Sequence, residues 1–415
     1  MARRVTGAAV GLLTALALGV SGCSSSGGLD PNSPAATLPG ETNDRIQQAV
    51  ETAMQQSGAT QALVGVWTAE AGEYVQALTT DDSKLPVSAT FRGAQTTQPY
   101  TCALLLELAA QGTVSLDGKV SDDLPRQNGI EDITYRQLCE QTSGLADFKA
   151  GFASINLNNP ARQWPDRELI SQGLVSSPLP HPGLNFNYSD TNAVLLGRAL
   201  KIAADKDLPE LLDTEVFQPS GMTRSEFPET DTLSGPTLAA HVFPVADGKP
   251  VCDAANEVPK VSPSMLSGAG GAVTTLNDQR AFLNAYLGGE IGGKAGAKAL
   301  SETRSTKNPE RNAEGEVTKE AEPSGQAWGF GLLHEGPLQG RDGSITGTIS
   351  AAFQDPQTGF TVVVALNNSS AGGGFAKQLA FQLSAIVQEA QPDAVGELPW
   401  TVQSTAEALA AAAVC

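Results

Sequence analysis

Histidine is scarce in this 415-residue chain: there are three, His181, His241 and His334, and neither a C-x-x-C nor an H-x-x-x-H spacing occurs, so no metal centre is expected. No segment recurs with a period of roughly 20 to 50 residues, which sets aside solenoids and propellers. Basic residues are outnumbered, 26 Lys and Arg against 45 Asp and Glu, for a net charge of −19. Such a surface repels nucleic acid and anionic headgroups, so no nucleic-acid partner is expected, and no cofactor. Long apolar runs are also missing, apart from Val5 to Val20, which falls short of the about 20 residues of a spanning helix and contains glycines.

What is present is an ordinary globular composition, 40% hydrophobic and 17% charged, in a chain long enough for one large core or two modest ones. The N-terminal run follows Arg3 and Arg4 and ends in Ser21, Gly22 and Cys23, a secretory signal pattern. Its last four residues, "VSGC", resemble the lipobox of bacterial lipoproteins. That resemblance implies a signal peptide over 1–22 and a diacylated Cys23 at the start of the mature chain. The lipid would then hold the protein to the outer side of the plasma membrane. A Ser/Gly/Pro-rich stretch over 23–41 reads as a flexible tether. Loss of residues 1–22 would leave 24 basic against 45 acidic residues, a charge of −21, so lipid and not surface charge must supply the membrane attachment.

Four further cysteines remain, Cys102, Cys139, Cys252 and Cys415. An exported protein meets oxidising conditions, so two disulfides are expected; the residues by themselves leave all three pairings open.

Periodicity organises the rest. "NDRIQQAVETAMQQS" places Ile46, Val50 and Met54 on one helical face, with Thr42 or Asn43 as its cap. "ALVGVWTAE" and "EYVQALTT" flank "AG" as a hairpin, and strand signals return in "AWGFGLLHE", "GTISAAFQ" and "FTVVVALNN", the last two joined by "DPQTG". "AKQLAFQLSAIVQEA" reads as an amphipathic helix. The predicted fold is mixed α/β with an all-α part: an antiparallel sheet built from both ends of the chain (about 58–80 and 326–392), flanked by helices, with a helical region inserted over about 95–300. The domain is expected over 42–392, followed by a C-terminal tail over 393–415. Residues 303–325 are charged and aperiodic and read as a mobile surface loop, or more sharply a lid.

Several segments, in order, resemble the serine beta-lactamase and D-alanyl-D-alanine peptidase superfamily in its class C-like branch: "LAAQGTVSLDGKVSDDLP", "ITYRQLCEQTSGL", "PGLNFNYSDTNAVLLGRAL", "GAGGAVTTLNDQRAFLNAYLGG" and "GFGLL…GRDGSITGTISAAFQDPQTGFTVVVALNN". The resemblance covers roughly residues 42–390 and implies the fold; function must be argued from the site. It also implies that Cys102 lies near Cys139, and with that pair a second between Cys252 and Cys415.

Family chemistry uses S-x-x-K, a serine nucleophile with a lysine that helps move its proton. The corresponding residues here are Gln95 and Gln98, in "AQTTQ". An amide supplies neither an ionisable oxygen nucleophile nor a basic nitrogen, and no serine in the chain is followed by lysine three residues later. Thr96 and Thr97 are neighbouring hydroxyls rotated away from the Gln95 direction; Ser143 and Ser189 read as structural. The family's Y-x-N appears as Tyr188, Ser189 and Asp190, which adds a carboxylate. Its K-T-G appears as Arg341, Asp342 and Gly343, which keeps a cation suited to a ligand carboxylate and a glycine that would leave room for a ligand backbone. Asp190 and Arg341 are expected to pair across the cleft.

These readings point to a surface lipoprotein with a penicillin-binding fold that has no supported catalytic residue. Its cleft (Gln95, Gln98, Tyr188, Asp190, Arg341 and Gly343) would bind a cell-wall peptide or a protein partner. Two alternatives stand beside it: a peptidase, esterase or beta-lactamase using a displaced hydroxyl, and a scaffold whose cleft is vestigial. Gln95→Ser alone is expected to stay unacylated by penicillin, and Gln95→Ser with Gln98→Lys to regain some acylation.

Overall fold

The computed structural model describes residues 37–176, 181–247, 249–253 and 255–415; the expected signal sequence, Cys23 and the tether up to residue 36 lie outside the described residues. Helix α1 (Gly40–Ser57) presents buried Ile46, Val50 and Met54. It begins ahead of the expected caps because Pro39, with φ fixed at −52°, takes the N-cap place, and Asn43 reaches back from within the helix to the Leu38 carbonyl (3.0 Å).

The sheet has eight strands: β1 (Gln61–Trp67), β2 (Glu73–Thr79), β3 (Arg304–Ser305), β4 (Gln326–Trp328), β5 (Leu333–Glu335), β6 (Leu338–Ile345), β7 (Thr348–Gln354) and β8 (Thr361–Leu366). Their spatial order is β2-β1-β8-β7-β6-β5-β4-β3, and every neighbouring pair is antiparallel. Chain end and chain start meet where β1 pairs β8, with Val64 opposite Val364. The β7–β8 turn is made by Asp355, which accepts from the Gln357 backbone and the Thr358 hydroxyl, and by Gly359 at φ +75°.

Both faces of the central strands are covered, so these strands read as near-continuous apolar runs. One face (Ala62, Val64 and Val66 of β1, Ala351 and Phe353 of β7, Val362 and Val364 of β8) packs against α1 and helix α7 (Gly373–Ala390). The other (Leu63, Trp67, Ala352, Val363 and Ala365) joins the core of the helical region. Helix α2 (Gln98–Ala110) runs through that region with almost every residue buried, and its Tyr100 meets Phe217 and Phe282 edge-on at 5.4 and 4.5 Å. Around it lie α3 (Lys149–Asn158), α4 (Asp166–Val175), α5 (Asp190–Ala204) and α6 (Leu276–Leu287).

Cys102 is bonded to Cys139 and Cys252 to Cys415, with Cα separations of 5.8 and 5.9 Å. Residues 393–415, expected as a tail, instead fold back on the domain. Helix α8 (Val402–Ala411) starts at a Thr401/Ser404 capping box, Trp400 stacks on Phe381 of α7 at 4.1 Å, and Leu409 is buried. Apolar side chains too few to form a long sequence signal suffice to dock it. Residues 303–325, expected as a mobile loop or lid, supply the edge strand β3 and a hairpin pairing Glu310–Arg311 with Val317–Lys319. Side-chain bonds pin the segment: Arg304 to Glu140, and Asn308 to both backbone groups of Phe186. No helix among the described residues is long and apolar enough to cross a membrane.

Candidate functional site

The site lies where a 3₁₀ turn, Ala94–Thr97, runs into α2 beside strand β6. Phe91 and Arg92 bridge to Thr274 and Val273, and Ala94 takes a left-handed φ of +51°, so the turn swings Gln95 against the sheet. Gln98 opens α2. Tyr188 and Asp190 arrive from the other side: Ser189 caps α5, and Asp190 is the first helical residue, where the helix dipole favours a carboxylate. Arg341 and Gly343, two apart on β6, share one face of the strand.

Gly343 does not leave room for a ligand. A Cβ on it would sit 2.4 Å from the Gln95 backbone nitrogen and 2.9 Å from the Ala94 Cβ. On its other side, a Cβ on Gly373 would lie 2.8 Å from the Gly343 carbonyl carbon. Gly343 lets the 3₁₀ turn approach β6, and Gly373 lets the start of α7 approach the same strand.

Asp190, 0% exposed, is the hub. Its Oδ2 accepts from the Gln95 amide (2.8 Å) and pairs with the Lys149 ammonium (2.8 Å). Its Oδ1 accepts from the Gln98 amide (2.7 Å) and the Tyr188 hydroxyl (2.5 Å). The Tyr188 oxygen in turn accepts from Gln98 (2.9 Å) and Arg341 (2.8 Å). Gln95 Oε1 accepts from the Ser344 backbone N–H of β6 at 2.7 Å, so a donor bordering the site is also engaged. Both glutamines thus serve as neutral amide donors that hold a buried anion.

The expected Asp190–Arg341 pair is not formed: the Tyr188 hydroxyl stands between them, and the cation on Asp190 is Lys149. Lys149, at the start of α3, lies five residues past "TSG", and only the sequence pattern of a new buried carboxylate hinted that some cation was needed. Burial alone would push the Asp190 carboxyl up; the Lys149 charge and hydrogen bonds from Lys149, Tyr188 and Gln95 outweigh it and hold the group below the usual carboxylate range. Burial pushes Asp147 up, and the Asp190 charge adds to that. Burial would lower Lys149, but Asp190 and Asp147 (3.6 Å from its ammonium) raise it. Tyr188 is raised well above its ordinary value, first by burial and then by Asp190 against the opposing Arg341. These directions leave Lys149 and Tyr188 protonated and Asp190 a weak base, so none of these three is poised to take a proton from a nucleophile near neutral pH.

Arg341 is 7% exposed, lies over the rings of Tyr188 and Trp328 at 5.0 and 4.8 Å, and has no ion pair among the described residues. Its Nε is buried without a partner. The four hydroxyls singled out in the sequence are each hydrogen-bonded to the framework. Thr96 donates to Gly93 O and accepts from Gln279, Thr97 accepts from Ala272 N, Ser143 donates to Asn192, and Ser189 donates to Ala146 O.

The family model described as Beta-lactamase matches residues 46–385. The chain belongs to the beta-lactamase family. Among curated relatives of this beta-lactamase-family chain, Protein flp of Staphylococcus aureus (strain N315) is 30% identical over 162 residues, 37% of this chain and 31% of that protein. A D-aminopeptidase of Cereibacter sphaeroides is 24% identical over 310 residues, 73% of this chain and 54% of that protein. The matched stretch thus spans about a third to a half of these relatives' length. In three dimensions the chain is similar to a D-stereospecific amidohydrolase from Streptomyces sp. (TM-score 0.69, 21% identity, covering 82% of this chain and 97% of that one). It is also similar to the D-amino acid amidase of Ochrobactrum anthropi SV3 complexed with D-phenylalanine (TM-score 0.67, 20% identity, covering 84% of this chain and 100% of that one). At these identities the likeness is one of fold.

Proposed function

We propose that this chain is a non-hydrolytic member of its family that binds a cell-wall peptide through its terminal carboxylate. A lipid on Cys23 would hold it at the outer face of the membrane. The observation that carries the reading is the use of both Gln95 and Gln98 as donors to the buried Asp190 carboxylate, where acyl transfer needs a nucleophile and a base. Removing the nucleophile of a coupled site costs roughly a millionfold in turnover, about 8 kcal/mol.

The ligand class is supported by Arg341, a nearly buried guanidinium with an unpartnered Nε, which suits a carboxylate. An amino-acid end to that ligand is in keeping with the fold neighbour complexed with D-phenylalanine.

The test is intact-mass spectrometry after exposure to penicillin, together with thermal unfolding in D-alanyl-D-alanine. The expected result is no adduct, a raised unfolding temperature that depends on dipeptide concentration, and loss of that rise in Arg341→Gln. A covalent adduct would establish the displaced-hydroxyl enzyme instead; no dipeptide effect, with a protein partner recovered, would establish the scaffold. Cys23→Ala should release the protein from membranes, and unchanged lipid labelling of that variant would overturn the anchoring.

A further inference from the structure

A cavity of about 300 Å³ lies toward the far end of α5 from the site, lined by Arg126, Arg167 and Arg198 together with Leu124, Pro125 and Ile202. Eight residues of helix separate Asp190 from Arg198, a rise of about 12 Å, so the cavity is distinct from the cleft and the inference does not rest on the function proposed above.

Its charge is out of place in an acidic chain. Arg45, Arg136, Arg162, Arg280 and Arg304 all have carboxylate partners; Arg126, Arg167 and Arg198 have none among the described residues, nor a side-chain hydrogen bond. With 45 acids in the sequence, three arginines line one cavity without an ion pair among the described residues, Arg126 and Arg167 exposed and Arg198 half-buried. The one carboxylate in the lining, Asp123, accepts from the Tyr135 hydroxyl at 2.7 Å and pairs with none of them. Like charges in one cavity repel, and an anion placed among them relieves that repulsion while meeting planar donor forks that fit carboxylate or phosphate oxygens. The walls ask for something more than an ion. Ile202 is 53% exposed, and Leu124, Pro125 and the methylene stems of the arginines extend that apolar surface. A volume of this size falls at the small end of the range for small-molecule pockets.

We propose that this cavity binds a small organic anion, a carboxylate or phosphate monoester on an apolar body, with the arginines on the charged group and Leu124, Pro125 and Ile202 on the body. Inorganic phosphate is too small to use the walls, and a neutral aromatic leaves the guanidiniums unpaired.

Calorimetric titration of the full chain with phenyl phosphate, phenylacetate, inorganic phosphate and benzyl alcohol tests this. At least one of the two organic anions should saturate a single site, about tenfold or more tighter than inorganic phosphate and benzyl alcohol, and the tighter of the two identifies the headgroup. Arg198→Gln should weaken it about tenfold or more through loss of a charge-assisted hydrogen bond. Arg126→Gln, on an exposed loop outside any helix, should act in the same direction without touching the fold. Ile202→Glu should abolish binding by adding an internal carboxylate, whereas Arg224→Gln, at an exposed arginine elsewhere, should leave it unchanged. The proposal is overturned if neither organic anion saturates, if inorganic phosphate binds as tightly as both, if Ile202→Glu binds like the unaltered chain, or if Arg224→Gln weakens binding as much as Arg198→Gln.

Discussion

Replacing Gln95 by Ser and Gln98 by Lys returns the two side chains that serine acyl transfer uses, but Asp190 stays in place beside them. The Gln98 amide nitrogen lies 2.7 Å from Asp190 Oδ1, so a lysine at position 98 would deliver its ammonium to a carboxylate that is fully buried. Opposite charges about 4 Å apart interact by roughly 4 kcal/mol at an effective dielectric constant of about 20, which is about 3 pK units. That lysine would stay protonated, and a protonated lysine cannot take the serine proton. The geometry therefore adds a third requirement to the two expected from sequence. Gln95→Ser alone, and Gln95→Ser with Gln98→Lys, should remain unlabelled by fluorescent penicillin. Adding Asp190→Asn should permit acylation, because it removes the trapping charge, while Lys149 keeps Asp147 as its neighbour at 3.6 Å. Gln95→Ser also frees the Ser344 N–H from Gln95 Oε1. The assay is intact-mass spectrometry of the three variants after the same exposure. An adduct on the double variant that forms as fast as on the triple variant would refute the reasoning.

Lys149→Met should destabilise the domain by about 1–3 kcal/mol in chemical denaturation, less than a fully buried pair because the Lys149 side chain is 37% exposed. The deficit should shrink in acid: the folded Asp190 carboxyl is lowered, so its contribution is present above the unfolded carboxylate range and lost as pH falls through the folded value. A deficit that grows as pH falls would contradict this. Gly343→Ala should cost about 3 kcal/mol, because its methyl would sit 2.4 Å from backbone of the 3₁₀ turn; an unchanged denaturation midpoint would show that the turn can move away. Cys415→Ser opens a cross-link between residues 163 apart, for which chain entropy gives about 5 kcal/mol, and a thermal midpoint equal to that of the unaltered chain would show that α8 docks without it.

Much of the framework was legible because it rests on local periodicity. Short apolar, β-branched runs gave β1 and β8, turn residues gave the Asp355–Gly359 connection, and Ile46, Val50 and Met54 gave the buried stripe of α1. The docked C-terminal helix was not legible, since Trp400 and Leu409 form no periodic run and find their partners on α7 and in the core. The charged segment 303–325 likewise carries no apolar signal, because polar contacts to Glu140 and Phe186 fix it.

Residue identity alone determined that positions 95 and 98 cannot supply a nucleophile and base, since the chemistry of an amide does not depend on its surroundings. Identity also determined that Asp190 brings a negative charge into the site. Which groups answer that charge was decided only by tertiary structure. Arg341 was the cation in the matching motif, but the Tyr188 hydroxyl occupies the space between it and Asp190, while α3 brings Lys149 within 2.8 Å. A buried charge is satisfied by whatever donor the packing places within hydrogen-bonding reach, and that depends on how α3, α5 and β6 converge, which no spacing along the chain records.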